Sequence, residues 1–317
     1  MSRDLSKDTL LIKNIFYKQR EDFLKTLPER DKKFTFPDDV EEIKNVPYAS
    51  DGLPAHRLDI YRPRKAGGQK LPVIVNVHGG GLIIGCKEFN RYFCANLCKK
   101  GYLVFSVEYR LVPDCLFFDQ CRDVFAAMDF IGEHLAEYSG LPDRIFAVGD
   151  SGGACLLTYC LAMQNSRTVA KAAGAMSSPA YEASGADFAP SFLPVKAAGF
   201  ISGMFYTTRF DKIGLFLPNY LFGKGYRHSA FAPYVNPEHP DIIKALPPCY
   251  LVTSHKDHLR NYTLQFEKAL SHYHMPHKLH DFPPDKKLVH AFSVFEPFLE
   301  ESDETLQEIA KFFQSID

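Results

Sequence analysis

The stretch Arg144-Ile145-Phe146-Ala147-Val148-Gly149-Asp150-Ser151-Gly152-Gly153 decides how this chain is read. A short apolar run leads straight into a serine flanked by glycines, and a second apolar run, Ala154–Gln164, follows at once. The first run has the length and turn punctuation of a strand, and the second has those of a helix. G-x-S-x-G at such a junction has a mechanical logic. A sharp strand-to-helix turn crowds the backbone and leaves no room for side chains two positions either side of the serine. The turn also pushes the Ser151 hydroxyl out above the strand end. The helix behind it offers free N–H groups and the positive end of its dipole to a developing oxyanion. Taken alone, the five residues also fit a glycine-rich turn with an ordinary N-cap serine. Their meaning therefore rests on what the rest of the chain supplies.

Outward from this junction, buried-type strands alternate with helices. Ile43–Tyr48 and Arg57–Tyr61 read as antiparallel strands around the Asp51-Gly52 turn. Leu71–Val77, Tyr102–Val107, Arg144–Val148, Ala170–Met176, Cys249–Thr253 and His277–Phe282 read as further strands. Phe89–Lys100, Phe118–His134, Ala154–Gln164, Tyr262–His272 and Thr305–Ser315 read as helices. Eight strands alternating with helices after the first two predict a mostly parallel sheet with helices on both faces, its reactive edge at the strand C-termini. Residues 1–42 are charge-rich with apolar residues at helical spacing, and read as one or two amphipathic helices. Residues 185–235 fit neither pattern and read as an insertion.

Composition narrows the function classes. The 317 residues carry 37 basic and 38 acidic side chains, a formal charge of −1. That balance gives no electrostatic reason to expect nucleic acid or an anionic membrane as the main partner. None of the eight Cys forms a C-x-x-C pair, so neither a zinc ribbon nor a thioredoxin-type centre is indicated. They read as small buried apolar residues of a reduced, cytoplasmic protein. No signal-peptide core and no apolar run of membrane-spanning length is present. What stands out is the aromatic load: 27 Phe and 16 Tyr with no Trp. Twelve of these rings fall between Phe188 and Tyr234, inside the insertion.

A serine nucleophile needs a base, and the base needs an orienting carboxylate. His272, His274, His277 and His280 crowd one helix–strand junction and read as a solvated junction. His290 differs, because it follows the last strand on a loop that must return over the sheet. Asp257 follows the strand Cys249–Thr253, where it also suits the N-cap of the next helix. His78-Gly79-Gly80-Gly81 follows the buried strand Leu71–Val77. Three glycines let backbone N–H groups converge without side-chain obstruction, as an oxyanion hole requires. A phosphate-cradling loop is disfavoured, since no Lys-Ser/Thr follows and no G-x-G-x-x-G acid stands downstream.

With these motifs in order, the chain resembles the hormone-sensitive-lipase-like esterases of the α/β-hydrolase superfamily. The resemblance runs from about residue 43 to the C-terminus. It rests on His78-Gly79-Gly80-Gly81 with Gly85, Tyr109-Arg110-Leu111-Val112-Pro113, Gly149-Asp150-Ser151-Gly152-Gly153, Pro233-Tyr234-Val235-Asn236-Pro237, Asp257-His258-Leu259 and His290-Ala291-Phe292. It implies an α/β-hydrolase fold: an eight-stranded, mostly parallel sheet with helices on both faces and a helical cap. The core would be 43–184 and 236–317, with 1–42 and 185–235 forming the cap. Ser151, Asp257 and His290 match the family's triad, and Gly80, Gly81 and Gly152 match its oxyanion-hole donors. Three departures stand out. The family usually has Ala where this chain has Gly152, Asp114 replaces a usual Glu, and Cys86 replaces a common Ser.

The implied activity is hydrolysis of small or medium apolar esters through an acyl-enzyme, with no metal or organic cofactor. Two other readings stay open: an amidase or peptidase using the same triad, and a non-catalytic ligand-binding protein of this fold. The expected partner is a small ester, with neither nucleic acid nor stable membrane insertion; a homodimer is compatible with the chain. The insertion's rings are expected to divide between packing the cap and lining an apolar pocket.

Overall fold

The computed structural model describes residues 5–65, 68–175 and 188–316. One eight-stranded sheet organises them, in the order β1-β2-β4-β3-β5-β6-β7-β8. The strands are β1 Val40–Pro47, β2 Arg57–Pro63, β3 Leu71–Val77, β4 Leu103–Val107, β5 Gly140–Asp150, β6 Val195–Ile201, β7 Cys249–Ser254 and β8 His277–Phe282. β1 pairs antiparallel with β2, and β2 with β4; all later pairings are parallel.

The central strands read as unbroken apolar runs because both faces are covered. Successive side chains point to opposite faces. Val73, Val75 and Val77 of β3 join one buried cluster with Leu103, Phe105, Ile145 and Ala147. Their neighbours Ile74, Val104, Phe146 and Val148 join a second cluster on the other face. Two helices, Phe117–His134 and Gly152–Asn165, contribute to the first cluster. Arg91–Lys99 and Glu300–Gln314 contribute to the second, where Phe146 stacks on Phe313 at 4.4 Å. All eight cysteines are free and buried. Burial pushes Cys98 and Cys115 up to about 12.

Two expectations are corrected. Ala170–Met176 is not a strand: Arg167–Ala172 is a helix whose N-cap Ser166 accepts from the Val169 N–H. It ends at Gly174, at φ +77°; Met176 lies outside the described residues. The sixth strand is instead Val195–Ile201, inside the segment expected to be cap insertion. The sheet therefore takes residues 195–201 from that segment, and Phe200 belongs to the sheet core.

The N-terminal residues form two helices, Leu5–Leu24 and Leu27–Asp31. The long helix presents Phe16 and Phe23 to the body of the protein. Phe16 meets Tyr220 edge-to-face at 5.2 Å and Phe23 stacks on Phe89 at 3.8 Å. Ile15 and Leu24 face solvent. After β6 the chain passes through short helices and turns to residue 235. Phe222, Phe231 and Tyr234 there are buried against Phe117, Phe118 and Tyr159. Phe192, Phe210 and Phe216 stay exposed.

Candidate active site

The parallel strands end on one edge, and five of them place a candidate residue there. β3 leads into His78-Gly79-Gly80-Gly81, β4 into Glu108, β5 into Ser151, β7 into Asp257 and β8 into the loop carrying His290. Ser151 sits at φ +47°, ψ −115°, a conformation that L-residues enter only under constraint. The neighbouring glycines explain how it is tolerated. A Cβ on Gly153 would stand 2.1 Å from the Val77 carbonyl oxygen, and one on Gly149 would stand 2.8 Å from the Gly153 carbonyl carbon. The serine N–H donates to Ile201 and its carbonyl accepts from Met204, which fastens the turn to the end of β6.

Ser151, His290 and Asp257 form one continuous hydrogen-bonded chain. His290 Nε2 is 3.0 Å from Ser151 Oγ, and His290 Nδ1 is 2.8 Å from Asp257 Oδ1. Asp257 is buried and accepts further bonds from the Leu259 N–H at 2.8 Å and the Thr253 hydroxyl at 3.3 Å. Burial alone would raise its pKa. The His290 hydrogen bond and charge, the Ser202 hydroxyl and the Leu259 N–H outweigh burial and hold the carboxylate below its ordinary range. The histidine loop is pinned as well. The Ser254 hydroxyl donates to the Leu288 carbonyl at 2.7 Å, and the Ala291 N–H donates to Ser202 Oγ at 3.0 Å.

The glycine loop stands beside the serine turn. A Cβ on Gly152 would meet the Gly81 and Leu82 nitrogens, each at 2.9 Å. Among the described residues, the N–H groups of Gly80, Gly81 and Gly152 donate to no protein acceptor. Unpaired backbone N–H donors beside a serine turn are the kind of group a tetrahedral oxyanion takes up. The loop is held from below. Asp150 Oδ1 accepts from the Gly79 N–H at 3.0 Å and from Asn90 at 2.8 Å. Burial raises the Asp150 pKa, opposed by Asn90, the two nearby histidines and the Gly79 N–H. His78 is fully enclosed, with Nδ1 at 2.7 Å from the Gly79 carbonyl and Nε2 at 2.8 Å from Glu108. Both ring nitrogens face acceptors, so the imidazolium suits the site. Burial lowers its pKa, but the Glu108 charge and hydrogen bond prevail and the net shift is upward. Tyr109 stacks on His78 at 4.4 Å and donates to its carbonyl. From the N-terminal helix, Arg20 donates to the Ile83 and Val112 carbonyls and pairs with Asp114 at 2.8 Å.

Ser151, Asp257, His290 and the Gly79–Gly81 loop thus lie together at this edge. His272, His274, His277 and His280 lie away from it, with His277 paired to Glu267. Several supporting residues carried no motif: Ser202, Thr253, Asn90 and Arg20. Asp150 lay inside the serine motif, where its adjacency to the nucleophile was the available signal.

Comparison with known proteins gives a consistent picture. A family model described as "alpha/beta hydrolase fold" matches residues 74–294. A probable isoprenylcysteine alpha-carbonyl methylesterase of Arabidopsis thaliana is 38% identical over 101 residues, 32% of this chain and 21% of the relative. An esterase of Mycobacterium tuberculosis, LipQ, is 32% identical over 117 residues, 36% of this chain and 28% of the relative. The chain thus spans about a quarter of the length of the curated relatives it matches. Among solved structures, esterase B of Lactobacillus rhamnosis superposes with a TM-score of 0.85 at 20% identity, over 98% of this chain and 96% of that one. A form of that esterase inhibited by a tributyrin phosphonate gives 0.81 at 21% identity, over 97% and 95%. An esterase of Pyrobaculum calidifontis gives 0.68 at 23% identity, over 95% and 92%. These likenesses carry the fold.

Proposed function

The chain belongs to the α/β-hydrolase fold family, and from that premise we propose that it is a serine carboxylic-ester hydrolase working through an acyl-enzyme. The observation that carries this reading is the Ser151–His290–Asp257 hydrogen-bonded chain at the strand ends. Ser151 Oγ attacks the ester carbonyl while His290 Nε2 takes its proton. Asp257 holds the imidazole in the tautomer with the proton on Nδ1 and stabilises the cation that forms. The N–H groups of Gly80, Gly81 and Gly152 receive the oxyanion; losing one such donor costs about 2.7–4 kcal/mol of barrier. His290 then protonates the leaving alcohol. A water enters, gives its proton to His290 and attacks the acyl carbonyl, and collapse of the second tetrahedral intermediate releases the acid and returns the proton to Ser151. The base must be neutral to act.

In this reading, residues 1–42 and the segment after β6, 202–235, form the cap. The Phe16–Tyr220 contact that joins them supports it, as does Arg20 gripping the glycine loop. Much of the segment's aromatic surplus packs the cap onto the core, as Phe222, Phe231 and Tyr234 do. Met204, whose N–H donates to the Ser151 carbonyl, is taken to border the acyl site. The substrates are small or medium apolar esters; the Lactobacillus esterase of the same fold is inhibited by a tributyrin phosphonate. Among the described residues no helix is long and apolar enough to cross a membrane.

The test is hydrolysis of a p-nitrophenyl ester series by the wild type and by Ser151→Ala. The proposal requires loss of turnover in the variant and an optimum at short chains. A wild-type rate in the variant, or a best substrate beyond about twelve carbons, contradicts it.

A further inference from the structure

Beside the proposed triad stands a residue the ester chemistry does not use. His258 follows Asp257 directly, and its side chain is 69% exposed. Its ring lies 4.4 Å from the His290 ring, centroid to centroid, with 51° between the planes. His258 Nδ1 is 4.0 Å from Asp257 Oδ1, the oxygen that also meets His290 Nδ1 at 2.8 Å. One ligand atom from each of Asp257, His258 and His290 fits within a 4.8 Å span. Among the described residues this is the single cluster of its kind.

Two imidazoles and one carboxylate are a donor set for a borderline transition metal, not for calcium or magnesium, which seek several oxygens. The distances suit zinc. Ligand atoms about 2.0–2.1 Å from a tetrahedral ion stand about 3.3 Å apart. Asp257 Oδ1 must open by roughly half an ångström from His290 Nδ1 and close by somewhat more on His258 Nδ1. Movement of the exposed His258 supplies the closing, and a shift of the His290 ring supplies the opening.

We propose that Asp257, His258 and His290 form a reversible inhibitory site for zinc. The ion binds Asp257 Oδ1, His258 Nδ1 and His290 Nδ1, with water in the fourth position. The proton on His290 Nδ1 leaves to solvent as the metal bond forms; nothing is oxidised or reduced. The inhibition, though not the binding, rests on reading Ser151, Asp257 and His290 as a triad. Zinc removes the hydrogen bond that orients the base. It also draws electron density from the ring, so Nε2 no longer accepts the serine proton at a useful rate. The ion acts as an inhibitor and not as a resident cofactor.

The test uses the full chain, freed of metal by chelator and then dialysed. Zinc chloride is titrated while bound zinc is measured by equilibrium dialysis and hydrolysis of p-nitrophenyl butyrate is followed. Rates are normalised to each variant's own zinc-free rate. The proposal expects one zinc per chain, saturable inhibition in step with binding, reversal by EDTA and no effect of magnesium. His258→Asn should raise the half-inhibiting zinc concentration at least about tenfold, as loss of one of three protein ligands implies. Ser151→Ala should still bind one zinc, so the site is tested even if the hydrolase reading fails. No saturable binding, or equal zinc sensitivity in His258→Asn, overturns the proposal.

Discussion

The carboxylate of Asp150 accepts the Gly79 N–H at 3.0 Å, so the residue beside Ser151 holds the glycine loop that faces it. The same oxygen, Oδ1, accepts from Asn90 at 2.8 Å. One buried atom therefore ties the serine turn, the glycine loop and the start of helix Arg91–Lys99 together.

This arrangement separates two substitutions at one site. Asp150→Asn keeps an oxygen where both donors point, so it should lower kcat only modestly. Asp150→Ala leaves the Gly79 N–H without its acceptor and Asn90 with Asn76 alone. It should cost about 1–3 kcal/mol of stability and, through a displaced loop, about 10- to 100-fold in kcat. Steady-state kinetics and thermal melts on the two variants check this; equal losses would remove the positioning role.

Gly152 invites the opposite experiment. The resembled family usually has Ala here, yet in this protein a methyl group would sit 2.9 Å from the Gly81 and Leu82 nitrogens. Gly152→Ala should push the loop outward and lower kcat about tenfold, with little change in melting temperature. An unchanged or improved kcat would mean that the loop yields freely.

The His78–Glu108 pair sets a pH expectation. The folded pKa of His78 is raised, so its stabilising effect is fully present below its unfolded value of about 6.5 and is lost as pH rises through the folded value. Glu108→Gln removes the charge that favours the imidazolium. Its melting temperature should lie furthest below wild type in mildly acid buffer, and the gap should narrow toward pH 9 or so. A gap that widens with pH contradicts the assignment.

Phe231 tests the packing of the segment after β6. It is buried among Phe118 at 4.8 Å, Tyr159 at 5.7 Å and Phe222 at 6.0 Å. Phe231→Ala should cost about 3–5 kcal/mol in urea unfolding. A loss below about 1 kcal/mol would show that the segment is not anchored there.

Most of this architecture was legible because the signals were local. Leu71–Val77 is apolar throughout since both its faces are buried, and the glycines around Ser151 answer steric needs within a few residues. Asp257 and His290 were found from chain order, each one loop beyond a strand. The sixth strand was not found, and the reason is instructive. Lys171-Ala172-Ala173-Gly174 and Lys196-Ala197-Ala198-Gly199 are the same four residues. The first follows the N-cap Ser166 and closes a helix at a left-handed glycine. The second follows Pro194 and runs into Phe200-Ile201, and it forms a central strand. Between β5 and β7 an alanine-rich strand is stabilised by its neighbours and not by its own propensity. Ser202, Asn90 and Arg20 stayed hidden for a related reason: the site atoms they bind belong to residues 55 to 94 positions away.

The central claim is that Ser151 is the nucleophile of an acyl-transfer site. Its most direct test is labelling of the native protein with a fluorophosphonate, followed by peptide mass spectrometry. The account predicts one adduct per chain, on Ser151, absent from His290→Ala. An unlabelled wild type, or an adduct on another residue, would contradict it.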